Sequence, residues 1–318
     1  MASEPLMRDV VVDAVYEAAR RDRDVFFLAA DLGAAALDRF RADLPGQFVH
    51  TGISEQHMID LAAGLALSGK RVFCYAMASF ITARCYEQLK CALAAMRLPV
   101  TLVAVGIGCG YDDAGPTHYT LEDLACLRAL AGVEILSPAD AEATAAAVRL
   151  ALAEPAFRVL RLERPALPAV YGGRFAAALP AGVAEIAAGD DVCLVASGYL
   201  LHRALAVRAR LAREGLAPGV VDLFRVKPLD AGALTSVLAR YRAVVTLEEQ
   251  FLPGGFGSAV LEACADTGLA VPVRRLGLPD RYPFENGGRD HVLARAGLAV
   301  EDVARVVRET AARPAAVA

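Results

Sequence analysis

The amino-acid sequence predicts an α/β fold with two doubly wound domains, each built on a mainly parallel sheet, the second smaller than the first. Short apolar runs rich in β-branched residues alternate along the chain with segments of helical periodicity. This alternation is typical of parallel strands covered by helices on both faces. The length of 318 residues exceeds that of one ordinary domain, and a hydrophobic content of 56% can fill two cores.

The first domain is predicted over residues 1–168. Its buried strands are expected at Val25–Ala29, Val72–Tyr75, Val100–Val105, Val133–Leu136 and Arg158–Leu162. Its helices are expected at Arg8–Arg20, Glu55–Leu67, Ile81–Ala95, Leu121–Leu130 and Ala139–Leu152. Because helices separate these strands along the chain, the strands should run parallel in one sheet.

A linker and a second domain follow. Residues 164–182 hold three prolines and three glycines with little periodicity, which is typical of a connector, placed here at 169–179. The second domain is predicted over residues 180–318. Its strands are expected at Val192–Ala196, Gly219–Asp222, Val244–Glu248 and Val271–Leu276, and its helices at His202–Glu214 and Gly257–Asp266.

Composition excludes several classes of function. The net charge is −4, with no basic stripe, which argues against nucleic acid or an anionic membrane surface as partner. The seven cysteines are scattered and form no CxxC pair, so they predict free thiols rather than a disulfide framework or a zinc site. No signal peptide or membrane-spanning run is evident. The chain is therefore predicted to be cytoplasmic.

The first polar segment of interest is Gly52–His57, which follows an expected strand and opens a helix. Ser54 is expected at the N-cap position of that helix. Glu55 has a common structural explanation, because the dipole at a helix N-terminus favours a carboxylate. Taken alone, this segment favours that explanation over a catalytic role.

Two further segments of the first domain carry polar or aromatic residues at positions suited to a ligand. Residues 78–88 combine Phe80, at a strand end, with a polar helix start. Residues 112–124 hold His118 in a turn just ahead of a helix, where a side chain meets a ligand more readily than a core. A single loop histidine is nevertheless more often an ordinary surface residue.

The fourth segment lies in the second domain. Residues 244–250 form a strand end, and residues 253–259 form a glycine-rich turn directly before a helix. Such a loop could bind an anion at the helix N-terminus. It lacks a following GK[ST], so it is not a nucleotide-binding P-loop.

In this order and spacing, the four segments resemble the C-terminal two-thirds of a transketolase, a thiamine-diphosphate enzyme, across essentially the whole chain. VVTLEEQ at 244–250 and GLPDRY at 277–282 are similar to the family's C-terminal domain. The family's diphosphate- and metal-binding motif, GDG…N, does not occur, since Gly189-Asp190-Asp191 has no matching asparagine. The chain therefore resembles the β-type subunit of a split transketolase.

The resemblance implies a role for individual residues around the cofactor. Glu55 matches the glutamate that hydrogen-bonds N1′ of the aminopyrimidine, and Phe80 matches the aromatic residue that stacks on that ring. Arg84 and Tyr86 are expected beside them, with Tyr75 a weaker candidate for the same wall.

The remaining implied residues face the substrate or the subunit interface. His118 matches the histidine that hydrogen-bonds the donor's oxygen, so Glu55 and His118 are the catalytic candidates. Asp31 matches an aspartate near the cofactor at the interface. Arg164 matches a phosphate-contacting arginine, and Asp113 is a nearby substrate-binding candidate.

Departures from the family concern the substrate. Ala114 stands where the family has the aspartate of D-G-P-T-H, which senses the C2 hydroxyl. Residues 33–36 offer no hydroxyl where the family has a phosphate-binding serine, and Gly106 or Gly108 replaces a histidine or arginine. Charge-assisted hydrogen bonds are each worth roughly 1.5–3 kcal/mol. Their loss predicts an acceptor other than an ordinary aldose phosphate.

The resemblance implies transfer of a two-carbon ketol unit from a ketose to an aldehyde, with thiamine diphosphate as cofactor. Mg²⁺ or Ca²⁺ is expected to be bound mainly by an α-type partner carrying GDG…N, in an α2β2 heterotetramer. One alternative is the β subunit of another thiamine-diphosphate enzyme, of 2-oxoacid dehydrogenase or deoxyxylulose-phosphate synthase type; GPTHY before a helix disfavours the dehydrogenase. The other is a non-catalytic paralogue that binds or regulates a partner, which Glu55, Phe80 and His118 together disfavour.

Overall fold

The computed structural model describes residues 4–30 and 33–312, which form two sheets flanked by helices. The strands are β1 (Val25–Ala29), β2 (Phe48–His50), β3 (Arg71–Met77), β4 (Val100–Val105), β5 (Glu134–Leu136), β6 (Arg158–Leu162), β7 (Ala184–Ala187), β8 (Val192–Ala196), β9 (Gly219–Asp222), β10 (Arg225–Lys227), β11 (Ala243–Phe251) and β12 (Val273–Leu278). The helices are α1 (Met7–Ala19), α2 (Ala36–Asp43), α3 (Glu55–Leu67), α4 (Ala78–Ile81), α5 (Tyr86–Gln88), α6 (Asp123–Ala129), α7 (Ala141–Ala153), α8 (Phe175–Ala178), α9 (Tyr199–Ala212), α10 (Ala231–Leu238), α11 (Phe256–Thr267), α12 (Arg289–Arg295) and α13 (Val300–Ala312). Within these described ranges, every helix is too short or too polar to cross a membrane.

The first sheet has seven strands in the order β10-β5-β6-β4-β3-β1-β2. β1 to β6 pair in parallel, and β10 joins the edge antiparallel to β5. A parallel strand covered on both faces needs apolar residues throughout, and all six residues of β4 are buried. One apolar cluster packs α3 against one face, and another packs α1 and α7 against the opposite face.

The second sheet has five strands in the order β12-β11-β8-β9-β7, with β7 antiparallel at one edge. α9 and α13 pack on one face, while α10 and α11 pack on the other. The predicted α/β fold with two doubly wound sheets is confirmed. β10 belongs to the second half of the chain but completes the first sheet, so the two halves are joined by backbone pairing.

The predicted helix Ile81–Ala95 is wrong as a single element. The chain instead forms α4, a turn, α5 and then a π-helix over Leu89–Ala94. α4 ends before Thr82, whose hydroxyl donates to the Ala78 carbonyl at 2.6 Å. Such a bond often bends a helix, but it does not by itself end one, because Thr310 makes the same bond to Val306 within α13.

The connector is held to both halves by hydrogen bonds. Asp140 Oδ2 accepts from the backbone amide of Val170 at 2.8 Å, and the hydroxyl of Tyr171 donates to Asp222 Oδ2 at 2.5 Å. Phe175, in α8, is buried. The segment is therefore ordered, although its limits at 169–179 stay a prediction.

Candidate active site

Glu55 is the first residue of α3, which follows β2 after a short turn. Its side chain is only 5% exposed, and Oε2 accepts a hydrogen bond of 2.8 Å from Arg84 Nη1. Ser54 occupies the predicted N-cap position, but its hydroxyl donates to the Thr51 carbonyl instead of to the helix. Glu55 is thus a buried carboxylate beside a guanidinium.

Phe80 lies in α4, which directly follows β3. The guanidinium carbon of Arg84 lies 4.1 Å from the centroid of the Phe80 ring. The imidazole of His118 approaches the same ring edge-on, with centroids 5.2 Å apart, and its Nδ1 lies 2.8 Å from Thr117 Oγ1. Contacts therefore run from Glu55 through Arg84 and Phe80 to His118.

Tyr111 extends these contacts to Arg164. The centroid of its ring lies 6.1 Å from that of His118 and 4.8 Å from the guanidinium carbon of Arg164. Arg164 Nη1 donates to Asp113 Oδ1 at 3.1 Å and lies 3.9 Å from Asp112 Oδ1. A hydrogen bond from its own backbone amide and the Arg164 guanidinium lower the pKa of the Asp113 carboxyl. We call this series, from Glu55 to Arg164, the site row.

The glycines after β4 explain a departure seen in the sequence. Gly106 and Gly108 have φ of 82° and 59°. A Cβ on Gly106 would overlap the Tyr111 ring, and one on Gly108 would overlap the Glu249 carboxylate. Burial raises the pKa of both the Tyr111 hydroxyl and the Glu249 carboxyl. No side chain larger than hydrogen fits at either glycine unless these neighbours move.

The expectation that the glycine-rich loop before α11 binds an external anion is wrong. Glu248 Oε1 accepts a 3.0 Å hydrogen bond from the backbone amide of Gly257, and a Cβ on Gly255 or Gly257 would overlap the Glu248 carboxylate. Burial raises the pKa of Glu248 to about 7. The protein's own carboxylate occupies the α11 N-terminus, where an anion is favoured.

Three other predicted residues lie apart from the site row or outside the described ranges. The Tyr86 hydroxyl donates to the Cys126 carbonyl at 3.1 Å, so it faces α6. Tyr75 is fully buried against Phe27 and faces the core instead of the site. Asp31 lies outside the described residues. The roles of Tyr86 and Asp31 stay predictions.

A buried ionic cluster that was not predicted from the sequence lies between the two halves. Arg289 begins α12, and its Nε donates to Glu249 Oε1 at 2.7 Å, while its Nη1 lies 2.7 Å from Glu163 Oε2. Its guanidinium carbon lies 3.8 Å from the centroid of the Tyr199 ring. These residues belong to elements far apart in the chain, so no local pattern joins them. In the sequence, the signal for this cluster was Glu163, an acidic residue directly after an apolar strand.

The site row offers three chemical functions. A buried carboxylate can hold a proton at a ring nitrogen, an aromatic face can stack on a flat ring, and an imidazole can exchange a proton with an oxygen. A flat heterocycle with a ring N–H fits the carboxylate of Glu55 and the ring of Phe80. Within residues 4–30 and 33–312, no group of three or more His, Cys, Asp and Glu could hold a metal ion.

Comparison with known proteins gives full-length similarities. Residues 3–170 match the family described as transketolase, pyrimidine binding domain, and residues 182–303 match transketolase, C-terminal domain. One of the subunits of an apulose-4-phosphate transketolase from Phocaeicola vulgatus is 33% identical over 303 residues, covering 95% of this chain and 96% of that protein. A 6-deoxy-6-sulfo-D-fructose transketolase subunit of Clostridium sp. is 32% identical, covering 98% and 96%.

Three further comparisons extend these similarities. A 1-deoxy-D-xylulose-5-phosphate synthase of Geobacter sulfurreducens is 37% identical, but the chain spans only 47% of its length. A solved structure described as a split gene transketolase, inactive beta4 tetramer, is 31% identical with a TM-score of 0.84, covering 96% of this chain and 97% of that one. A transketolase from Pichia stipitis, at 21% identity and a TM-score of 0.81, shares the fold over 46% of its length.

Proposed function

The chain belongs to the transketolase family, and we propose that it is the β-type subunit of a two-chain transketolase that moves a two-carbon ketol unit from a ketose donor to an aldehyde acceptor. The observation that supports this proposal most is the site row, in which Glu55, Phe80, His118 and Arg164 lie in one series of contacts. The full-length similarity to two proteins named as transketolase subunits supports the same assignment.

When bound, thiamine diphosphate supplies the carbon nucleophile of this reaction. Glu55 holds a proton at N1′ of the aminopyrimidine, a task that requires a carboxylate shielded from water, and its 5% exposure meets this requirement. Phe80 orients the ring by stacking, worth roughly 0.5–1.5 kcal/mol beyond burial. His118, beside Phe80, moves a proton to or from the oxygen of the substrate carbonyl.

The partner is proposed to be a separate α-type subunit that carries the GDG…N motif and binds the diphosphate and Mg²⁺ or Ca²⁺, in an α2β2 heterotetramer. A similar split-gene chain is described as an inactive β4 tetramer, which supports the need for a second subunit. The isolated chain is therefore expected to bind thiamine diphosphate weakly and to be inactive. Tight cofactor binding by the chain alone contradicts this part of the proposal.

The catalytic assignment is tested on the chain combined with that α-type subunit. Glu55→Gln keeps the size of the side chain and removes its charge, and it is expected to lower two-carbon transfer by about 10²–10⁴-fold. Circular dichroism checks that the fold is unchanged. Glu87→Gln alters an exposed carboxylate of the neighbouring helix α5 and should keep normal activity. Near-normal turnover by Glu55→Gln would refute the assignment.

The similarity to deoxyxylulose-phosphate synthases leaves one alternative that the same mixture can test. A synthase joins two carbons of pyruvate to an aldehyde and releases carbon dioxide. A transketolase moves a ketol unit from a ketose and releases an aldehyde instead. Carbon dioxide release from pyruvate, without ketol transfer from a ketose, therefore identifies the synthase activity.

A further inference from the structure

A cavity of about 610 Å³ opens where the two halves of the chain meet. Its ionisable lining comes from both halves and includes Asp112, Arg164, Tyr199, Arg289 and Asp290. The Tyr111 ring contacts both His118 and Arg164, so the cavity begins one aromatic ring away from His118. It therefore continues the site row away from the position of the reacting carbonyl.

Of the two arginines that line this cavity, Arg289 is bound by two carboxylates. It is only 7% exposed, donates from Nε to Glu249 at 2.7 Å, and lies 2.7 Å from Glu163 through Nη1. Both carboxylates are themselves buried. Breaking such a pair leaves a buried charge without compensation, which is strongly unfavourable. The Arg289 guanidinium is therefore not available to bind a ligand.

The other arginine, Arg164, also faces two carboxylates. Its Nη1 lies 3.1 Å from Asp113 and 3.9 Å from Asp112. Asp112 in addition accepts a 3.3 Å hydrogen bond from the backbone amide of Arg289 through Oδ2. Asp112 therefore stands between the Arg164 guanidinium and the first turn of α12, where an anionic ligand would have to bind.

Asp290 is the second carboxylate that lines the cavity. Asp290 accepts from the Tyr199 hydroxyl at 3.0 Å and pairs with Arg203. The cavity lining itself holds two carboxylates, Asp112 and Asp290, and two guanidiniums, Arg164 and Arg289, and each of these guanidiniums is paired with carboxylates of the protein.

Building on the proposed function, we propose that this cavity receives the end of the substrate remote from the reacting carbonyl, and that it selects an uncharged, hydroxyl-bearing end over a phosphorylated one. A phosphate in this cavity would lie beside the carboxylates of Asp112 and Asp290, and like charges placed side by side repel. Hydroxyl groups can donate to the exposed oxygens of Asp112 and Asp290 and accept from Arg164. Asp112 is thus the residue that determines the preference.

A binding experiment on the isolated full chain tests the cavity without catalysis. Inorganic phosphate is titrated at constant ionic strength while thermal unfolding is followed. Phosphate stabilises many proteins weakly by exclusion from their surface, and the wild type should show only that non-saturating rise. Asp112→Asn should show an additional, saturable rise. Asp302→Asn, the same change on the exposed face of α13, should behave as the wild type. A saturable rise in the wild type, or none in Asp112→Asn, overturns the proposal.

A second experiment uses the complex with the α-type subunit, hydroxypyruvate as donor, and D-glyceraldehyde or D-glyceraldehyde 3-phosphate as acceptor. The wild type is expected to have at least about tenfold higher kcat/KM for the unphosphorylated aldehyde, and Asp112→Asn should shift that ratio toward the phosphate by about tenfold. If two-carbon transfer occurs with a higher kcat/KM for D-glyceraldehyde 3-phosphate than for D-glyceraldehyde, the inference about the cavity is wrong. The proposed function is not contradicted by that result. Failure to transfer to any acceptor contradicts the proposed function, and the phosphate titration then decides the inference.

Discussion

Arg84 contacts both Glu55 and Phe80, the two side chains proposed to bind the aminopyrimidine. Its Nη1 bonds the Glu55 carboxylate at 2.8 Å, and its guanidinium covers the Phe80 ring at 4.1 Å. A planar guanidinium can do both at once, because its N–H groups lie in the plane and its face is free to stack. Arg84 therefore fixes the carboxylate and the ring relative to each other before a ligand binds.

Removal of this arginine should weaken cofactor binding. A charge-assisted hydrogen bond is worth roughly 1.5–3 kcal/mol, and the 41% exposure of Arg84 reduces that value through solvent screening. Arg84→Ala is therefore expected to raise the Kd for thiamine diphosphate about tenfold in the complex with the α-type subunit, measured by calorimetric titration. Arg84→Lys keeps the charge but lacks the planar guanidinium, so its Kd for thiamine diphosphate should lie between those of the wild type and Arg84→Ala.

A matched control for this prediction is Arg41→Ala, which breaks an exposed 2.8 Å pair with Asp38 on α2. Its cofactor affinity should equal that of the wild type. If Arg84→Ala also binds the cofactor with unchanged affinity, the positioning role of Arg84 is ruled out.

At the scale of elements, the buried strands could be predicted well because their apolar runs are short and sharply bounded. β4, for instance, lies at Val100–Val105, as predicted. Predictions failed at an interrupted helix and at a strand whose pairing partner is distant in the chain. Periodicity suggested one helix over Ile81–Ala95, where the chain forms α4, a turn, α5 and a π-helix instead. β10 has only three residues and forms because β5 offers it an edge.

The residues of the candidate site fall into two groups in the same way, those that belong to a local sequence motif and those that do not. Glu55, Phe80 and His118 could be proposed as site residues because each belongs to a local motif that follows a strand or precedes a helix. Tyr111 and Arg289 could not, since each makes contacts with residues far from it in the chain. Tyr111 matters because it touches both His118 and Arg164, a property that no local pattern expresses.

The loop after β4 should tolerate no side chain at Gly106. Its φ of 82° costs other residues about 1–2 kcal/mol, and overpacking against the Tyr111 ring costs about 1–3 kcal/mol. Gly106→Ala is therefore expected to lower the free energy of unfolding by about 2–5 kcal/mol in urea titrations, and to lower activity by displacing Tyr111. Gly46→Ala has no atom within 4 Å of the new Cβ and should change stability by less than about 0.5 kcal/mol. Equal stability of the two variants contradicts the packing argument.

At the scale of the whole molecule, buried carboxylates hold the connector and the two halves together. Asp222, at the end of β9, is fully buried and accepts from the Tyr171 hydroxyl of the connector, while its Oδ1 has no hydrogen-bond partner within the described residues. Such a group is costly to bury in its charged form. Burial accordingly raises the pKa of Asp222 to about 8, and that of Glu248, a β11 residue whose carboxylate accepts from the first turn of α11, to about 7.

These two carboxyls make stability depend on pH in a definite direction. Unfolded Asp and Glu have pKa values of about 4, so the folded chain binds more protons than the unfolded chain between about pH 4 and pH 8. The free energy of unfolding should therefore fall as pH rises through this range, by at most about 1.4 kcal/mol per pH unit for each carboxyl. Asp222→Asn removes one of them and should flatten the decline, whereas Asp302→Asn controls for the change of side chain. Urea unfolding followed by tyrosine fluorescence at several pH values measures the slopes. A wild type whose stability rises with pH here, or an Asp222→Asn slope equal to that of the wild type, contradicts the assignment of Asp222 as a carboxyl buried in its protonated form at the junction.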